Sequence, residues 1–391
     1  MEFLKRTWTE ISLDNLGYNY RQIRSGLPEG TGIVGVVKAD AYGHGAVQIG
    51  RQLAALGASF LAVSNLEEAE QLHKAGIAAP ILLLGYTPPE FAAFSADRDF
   101  RQEVNSLDYA RALDAALRES GKRLKIHLKV DTGMSRLGFF AYDRAESAEE
   151  IAELSKLEHL EIEGIFQHFC VADSHEEDCR AFTELQYGRF CAFLEELAGR
   201  GVSPRLRHCC NSAAAILHPE YGMEMVRPGI AMYGCAPDPG MKGDVELRPL
   251  LSWRTTVVQV RDFAPGIAVS YGRTWKTERP SKIAVLPVGY ADGLSRGLSN
   301  RVEFLLHGQR IRQVGRICMD MCMADVTDVA EVRVGDTVTI LGRDGEQEIR
   351  CEEMAELAGT IPYEITCCIS KRVPRIYTRH GREVGRLQYI K

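Results

Sequence analysis

The chain has 391 residues, of which 45% are hydrophobic and 26% charged, with a formal net charge of -6. That length predicts two domains with a sizeable core, and the acidic balance argues against nucleic acid or an anionic membrane as the main partner. No run approaches a membrane-spanning helix, no signal-type apolar stretch is seen, and the 11 cysteines form no paired C-x-x-C framework, so reduced thiols in the cytoplasm, with no metal site, are expected.

In chain order, the first part alternates short apolar runs with amphipathic stretches. Strands are predicted at 33–38, 60–63, 81–84, 103–105, 124–130, 162–169, 206–210 and 223–227. Amphipathic stretches lie between them, among others at 46–56, 66–75, 109–119, 149–157 and 179–197. Such alternation implies parallel βα units. Eight strands over this length fit a closed (β/α)8 barrel of the TIM type better than an open sheet. No G-x-G-x-x-G follows the first strand, and no G-x-x-x-x-G-K-[ST] is present.

From about residue 247 the texture changes to short β-type runs, at 253–260, 283–287, 301–306, 337–341 and 375–377. Asp344-Gly345 is a hairpin cue, and one short helix is predicted around 351–357. This predicts a mostly β second domain over 246–391, after a barrel over 1–245. The strand-like segment 7–11 precedes the barrel and is a candidate to pair with the second domain.

Lys38 ends the first predicted strand and opens Lys38-Ala39-Asp40-Ala41-Tyr42-Gly43-His44-Gly45. Burying an unpaired ammonium is costly. Desolvation also lowers an amine's pKa, which is how a lysine becomes a nucleophile able to form a Schiff base. Taken alone, a lysine at a strand end is more often a salt-bridge partner or a snorkelling residue. In a barrel, however, functional groups gather at the C-terminal ends of the strands. This chain offers Lys129 to Arg136 after the fifth strand, His168 near the end of the sixth, Asn211-Ser212 after the seventh and Arg227-Pro228-Gly229-Ile230 after the eighth.

Each of these has a plain structural reading. Arg136 suits a surface ion pair, His168 a satisfied buried histidine, and Asn211-Ser212 a helix N-cap. Their convergence on one mouth is what argues for a site. A helix N-terminus with a serine is an anion site, and Gly229 allows a phosphate close to the backbone. A nucleophilic lysine beside a phosphate cradle points to pyridoxal phosphate (PLP).

The segment Val37-Lys38-Ala39-Asp40-Ala41-Tyr42-Gly43-His44-Gly45 resembles the PLP-lysine motif of the alanine racemase family. Further matches follow in family order: 129–138, His208-Cys209-Cys210-Asn211-Ser212, Met225-Val226-Arg227-Pro228-Gly229-Ile230, Val269-Ser270-Tyr271-Gly272, Gly289-Tyr290-Ala291-Asp292-Gly293 and Cys318-Met319-Asp320. The resemblance covers essentially the whole chain. It implies a homodimer with shared active sites that interconverts L- and D-alanine and supplies D-alanine for peptidoglycan. It implies two acid/base groups, Lys38 and Tyr271, the latter reaching the site from the partner subunit. His168 is expected to hydrogen-bond to Tyr271 and to lean on an arginine.

Arg227, by the same resemblance, faces the pyridine nitrogen and keeps it unprotonated. Arg136 contacts the cofactor's phenolic oxygen and the substrate carboxylate. Tyr42, Ser212, Gly229 and Ile230, with Asn211 beside them, hold the phosphate. Met319 and Tyr290 shape the substrate path, and Lys129 holds a position that is carbamylated in some members. One departure stands out. The family's usual tyrosine in I-S-Y-R-V-P-R is Lys371 here, within Ile369-Ser370-Lys371-Arg372-Val373-Pro374-Arg375. Lys371 is expected either to pair with the phosphate and repolarise the pocket or to swing outward. A serine racemase of the same fold is the alternative. A non-catalytic PLP-binding barrel would lack Tyr271 and the β domain, and a PLP-dependent decarboxylase fits the Tyr271 segment poorly.

Overall fold

A computed structural model describes residues 4–390. Eight parallel strands run in the order Met225–Val226, Gly32–Val36, Phe60–Val63, Ile81–Leu83, Arg101–Val104, Leu124–Asp131, Leu160–Phe166 and Leu206–His208. The first and last of these meet, because Glu224 N–H donates to Arg207 O at 3.2 Å and Arg227 N–H to Cys210 O at 2.9 Å. The result is a nearly closed barrel of the TIM type. Phe60–Val63 and Ile81–Leu83 are buried throughout, as parallel strands covered on both faces must be. The eighth strand shrinks to Met225–Val226 because Pro228 has no N–H to extend the ladder.

The outer helices start where their caps predict. Ser106 accepts from Tyr109 N–H and Asp143 from Glu146 N–H. The stretch at 179–197 is the helix Glu177–Gly199. Among the described residues, no helix is long and apolar enough to cross a membrane.

The C-terminal part is built on a sheet ordered Gln259–Phe263, Ser281–Leu286, Cys322–Asp325, Gln309–Val314, Glu303–Leu306, Thr337–Asp344, Leu251–Thr256, Thr7–Ser12, Arg375–Arg379, Arg382–Leu387. Thr7–Ser12 runs antiparallel to Leu251–Thr256 and parallel to Arg375–Arg379. The chain then crosses directly into the helix Leu13–Gly26, which packs on the barrel.

Two expectations need correction, and a third, the hairpin at Asp344-Gly345, holds with its loop shifted by one residue. The run 253–260 is not one strand. Val257 exchanges hydrogen bonds with the 335–336 turn and Val258 N–H donates to Val285 O, so the chain turns a corner and its two halves lie far apart in the sheet. The hairpin loop is Gly345-Glu346, with Asp344 the last paired residue opposite Gln347. Finally, the single helix is two, Cys351–Ala358 and Pro362–Cys368, the second opened by a proline at its first position.

Candidate active site

Lys38, Tyr42, Arg136, His168, Asn211, Ser212, Arg227, Gly229 and Ile230 line one cavity of about 360 Å³ at the C-terminal mouth of the barrel. Lys129 and Phe166 line it as well. Four cationic side chains therefore face a cavity whose lining contains no carboxylate. Arg136 makes no hydrogen bond or ion pair among the described residues. Such an enclosure is built for an anion.

Lys38 sits at the start of an unusual backbone turn. Ala39, Asp40, Ala41 and Tyr42 have φ of 51°, 54°, 53° and 53°, a full left-handed turn of non-glycine residues. Each such residue costs about 1–2 kcal/mol, so the surroundings must impose the turn. One restraint is Glu68, whose carboxylate accepts from Ala39 N–H at 2.7 Å and from Ser64 N–H at 2.8 Å. Gly43 completes the turn at φ 82°, where an added Cβ would lie 2.2 Å from Thr366 O. Burial, then the charge of Arg136, lowers the Lys38 pKa. That is the environment of an amine able to act as nucleophile and base.

The other end of the cavity offers backbone and hydroxyl groups that could hold an anion. Ser212 Oγ accepts from Gly229 N–H at 2.8 Å, while Asn211 caps the following helix through Ala214 N–H at 3.0 Å. A Cβ at Gly229 would lie 2.5 Å from the Tyr42 hydroxyl, so a larger residue there would force Tyr42 to shift. Tyr42 packs against Tyr233 and against Tyr363, with ring centroids 4.9 and 5.9 Å away. Burial raises the pKa of both Tyr42 and Tyr363. Neither hydroxyl has a hydrogen-bond partner among the described residues, so both remain free to donate to a ligand.

Arg227 is buried and pinned. It donates to the carbonyls of His208, Gln167 and Cys209 at 2.8, 2.7 and 3.2 Å. Burial lowers its pKa to about 10, so it keeps its charge at neutral pH. His208 Nδ1 accepts from Arg227 Nη1 at 2.9 Å, His208 Nε2 donates to His127 Nδ1 at 2.8 Å, and His127 Nε2 donates to Glu163 Oε2 at 3.3 Å. A guanidinium only donates, which fixes the tautomer of each ring in turn. Burial would raise the Glu163 pKa, but hydrogen bonds from His127 and Arg101 outweigh it and hold the pKa at about 2. Gly164 makes room for this chain: a Cβ there would lie 2.6 Å from the His127 ring.

His168 Nδ1 lies 3.4 Å from Arg227 Nη2. Burial, then the charges of Arg227 and Lys129, lowers the His168 pKa well below its usual value. His168 is thus neutral, with Nδ1 accepting and the proton on Nε2.

Tyr271, Tyr290 and Met319 do not reach this cavity. They are 71%, 41% and 53% exposed and gather in a second cluster on the β domain. Tyr290 N–H donates to Cys318 O and Ala291 N–H to Met319 O, both at 3.0 Å. Ser270 Oγ donates to Arg316 O at 2.6 Å and lies 3.5 Å from Cys318 Sγ. Within one chain, His168 has no tyrosine partner from this cluster. The predicted site residues therefore fall into two separate groups in the chain, one at the cavity and one on the β domain.

Of the two expectations for Lys371, the structure shows the outward one and not the contact on the phosphate side. Lys371 does not line the cavity; its Nζ lies 5.5 Å from the Tyr389 ring centroid, beside a different cleft. Tyr363, eight positions earlier in sequence, lines the cavity instead. Sequence reasoning also passed over Phe166, whose ring lies 5.1 Å from Arg227 Cζ and 5.4 Å from Lys129 Nζ. Its place at the end of the sixth strand was the available signal.

Glu103 lies buried in the barrel close enough to feel the charges of Lys129 and Arg136, and burial raises its pKa to about 7 from 4.5. The folded state thus holds this proton more tightly than the unfolded chain. Its contribution to stability is full below about pH 4.5 and is lost as pH rises through about 7. Glu103→Gln removes that loss. Its stability relative to the parent chain should climb between pH 4.5 and pH 7, by up to about 3 kcal/mol. Urea unfolding at several pH values checks this; parallel curves for the two proteins would contradict it. Lys129, whose pKa burial lowers to about 7, acts in the opposite sense above that pH.

The family descriptions "Alanine racemase, N-terminal domain" and "Alanine racemase, C-terminal domain" match residues 11–237 and 250–377. The chain is similar to an alanine racemase of Clostridium tetani, 45% identical over 99% of each chain. It is also similar to alanine racemase 1 of Clostridium acetobutylicum, 44% identical over 99% of each. Among solved structures, an alanine racemase of Bacillus anthracis with bound L-Ala-P superposes with a TM-score of 0.94 at 36% identity, covering 100% of this chain and 99% of that one. One from Clostridium difficile superposes with a TM-score of 0.93 at 37% identity, covering 99% of each.

Proposed function

The chain belongs to the alanine racemase family and interconverts L- and D-alanine; we propose that it does so with pyridoxal phosphate, through two bases drawn from two subunits. The observation that carries this reading is the split between the cavity and the exposed Tyr271 cluster. The donor set also fits the cofactor. Two arginines, two unpartnered phenols and the Ser212–Gly229 cradle suit a phosphorylated anion, and Lys38 suits its aldehyde. Bound pyridoxal phosphate would carry the substrate amine and take up the electron pair of the broken Cα–H bond.

The chain's own residues then have distinct tasks. Lys38, its pKa lowered by burial, removes or returns the α-proton on one face. Tyr271 of the partner subunit serves the opposite face, and Tyr290 and Met319 arrive with it to narrow the substrate path. A tyrosine with a pKa of about 10 is a weak base at neutral pH. His168 assists it, because Arg227 occupies Nδ1 and leaves Nε2–H to donate to a phenolate. Arg227, charged and pinned by three carbonyls, discourages protonation of the ring nitrogen. Arg136, unpaired, takes the substrate carboxylate and the cofactor's phenolic oxygen. Tyr42, Ser212, Gly229 and Ile230 hold the phosphate with Asn211 fixing the helix behind them, and Tyr363 joins them. We place the enzyme in the cytoplasm, where its D-alanine feeds peptidoglycan assembly.

A racemisation assay with added PLP over L-alanine and L-serine tests the substrate. Alanine should be turned over with at least about tenfold higher kcat/KM. Higher efficiency on serine would shift the assignment to the serine-specific alternative.

A further inference from the structure

The left-handed turn behind Lys38 is gripped from the C-terminal end of the same chain. Arg375 Nε donates to Gly43 O at 3.0 Å, and the Tyr377 hydroxyl donates to His44 O at 3.0 Å. Asp40, in the middle of the turn, accepts from Ala46 N–H at 2.9 Å through Oδ1. Its Oδ2 accepts from the hydroxyl of Tyr389. The Tyr389 ring is held in place by two cations, Lys371 Nζ at 5.5 Å and Arg375 Cζ at 5.4 Å from its centroid. Lys371 thus has a task other than a contact with the phosphate.

We propose that Tyr389, steadied by Lys371 and Arg375, is a latch on Asp40 that imposes the left-handed turn and so positions Lys38 and Tyr42. Four consecutive residues in a disfavoured conformation hold only where neighbours over-determine them. Glu68 fixes the start of the turn and Arg375 and Tyr377 fix its end, while among the described residues Asp40 in its middle is bound by Ala46 N–H just beyond the turn and by Tyr389 from the C-terminal end of the chain. Tyr389 does not line the cavity but a neighbouring cleft, so its role is that of a positioning residue. Both residues it governs lie at the cavity, Lys38 just before the turn and Tyr42 as its last non-glycine member.

The proposal rests on the reading of Lys38 given above, and the test separates the two. Hydrogen exchange is followed in the holoenzyme and the cofactor-free protein for the parent chain, for Tyr389→Phe and for a chain ending at Leu387. Tyr389→Phe keeps the ring between its cations and loses only the hydroxyl. Amides of 39–45 should exchange about tenfold faster in both variants, while the helix Cys351–Ala358 is unchanged. The kcat should fall about three- to tenfold, with KM for alanine within about twofold, because Arg136 lies outside the turn. Asp40→Ala combined with Tyr389→Phe should lose no more than the larger single effect. Unchanged exchange at 39–45, or faster exchange spread equally over the β domain, overturns the latch. Borohydride reduction of the parent holoenzyme, read by mass on the Lys38 peptide, tests the role of Lys38 by itself; its failure would leave the exchange result standing.

Discussion

Lys38→Ala should abolish racemisation, lowering kcat/KM by at least about 10⁴-fold in both directions. In the proposed mechanism two functions disappear together: the amine that would hold the cofactor's aldehyde and the base for one face of the substrate. No neighbour can take over. Lys129 also lines the cavity, but its Nζ is committed to Val130 O at 2.8 Å. The guanidinium groups of Arg136 and Arg227 are not suited to act as bases. The phosphate cradle of Tyr42, Ser212 and Gly229 is untouched by the substitution, so the variant should still bind PLP while losing the visible absorbance of the lysine-bound form. That combination distinguishes lost chemistry from lost folding. A variant that keeps activity within about tenfold of the parent would remove Lys38 from the mechanism.

The barrel was legible because its strands are short aliphatic runs buried on both faces, such as Phe60–Val63, and that pattern is local. The corner at Val257 was not, since the residues on either side of it are equally β-type and only the change of ladder partner marks the break. The left-handed turn at 39–42 had no signal either. Alanine, aspartate and tyrosine carry no preference for positive φ of this length, and the conformation is imposed by Glu68 and the C-terminal strands. Tyr363 was hidden for a related reason: it comes from a helix of the β domain, far from the barrel motifs, and is close enough in sequence to Lys371 for the two positions to be confused. The cavity residues of the barrel followed from their strand ends, whereas Tyr271 lies exposed on another surface and only the family resemblance singled it out.

Mixing two inactive variants should restore activity. Tyr271→Phe retains Lys38 and the whole cavity, yet it loses the base for one face, and its racemisation should fall about 10²–10⁴-fold. If a site combines Lys38 of one chain with Tyr271 of the partner subunit, the two defects complement one another across a dimer. In a heterodimer of Lys38→Ala with Tyr271→Phe, one site collects both substitutions and the other collects neither. Random exchange of subunits makes half of the dimers hetero, each with one intact site of two, so activity should recover to about a quarter of the parent value. The recovery should track subunit exchange and vanish when the dimers are cross-linked before mixing. A site completed within a single chain would give no recovery, because every chain would then carry one lesion. Recovery near a quarter therefore reports on where the second base comes from, since Tyr271, 71% exposed, does not line the cavity of its own chain.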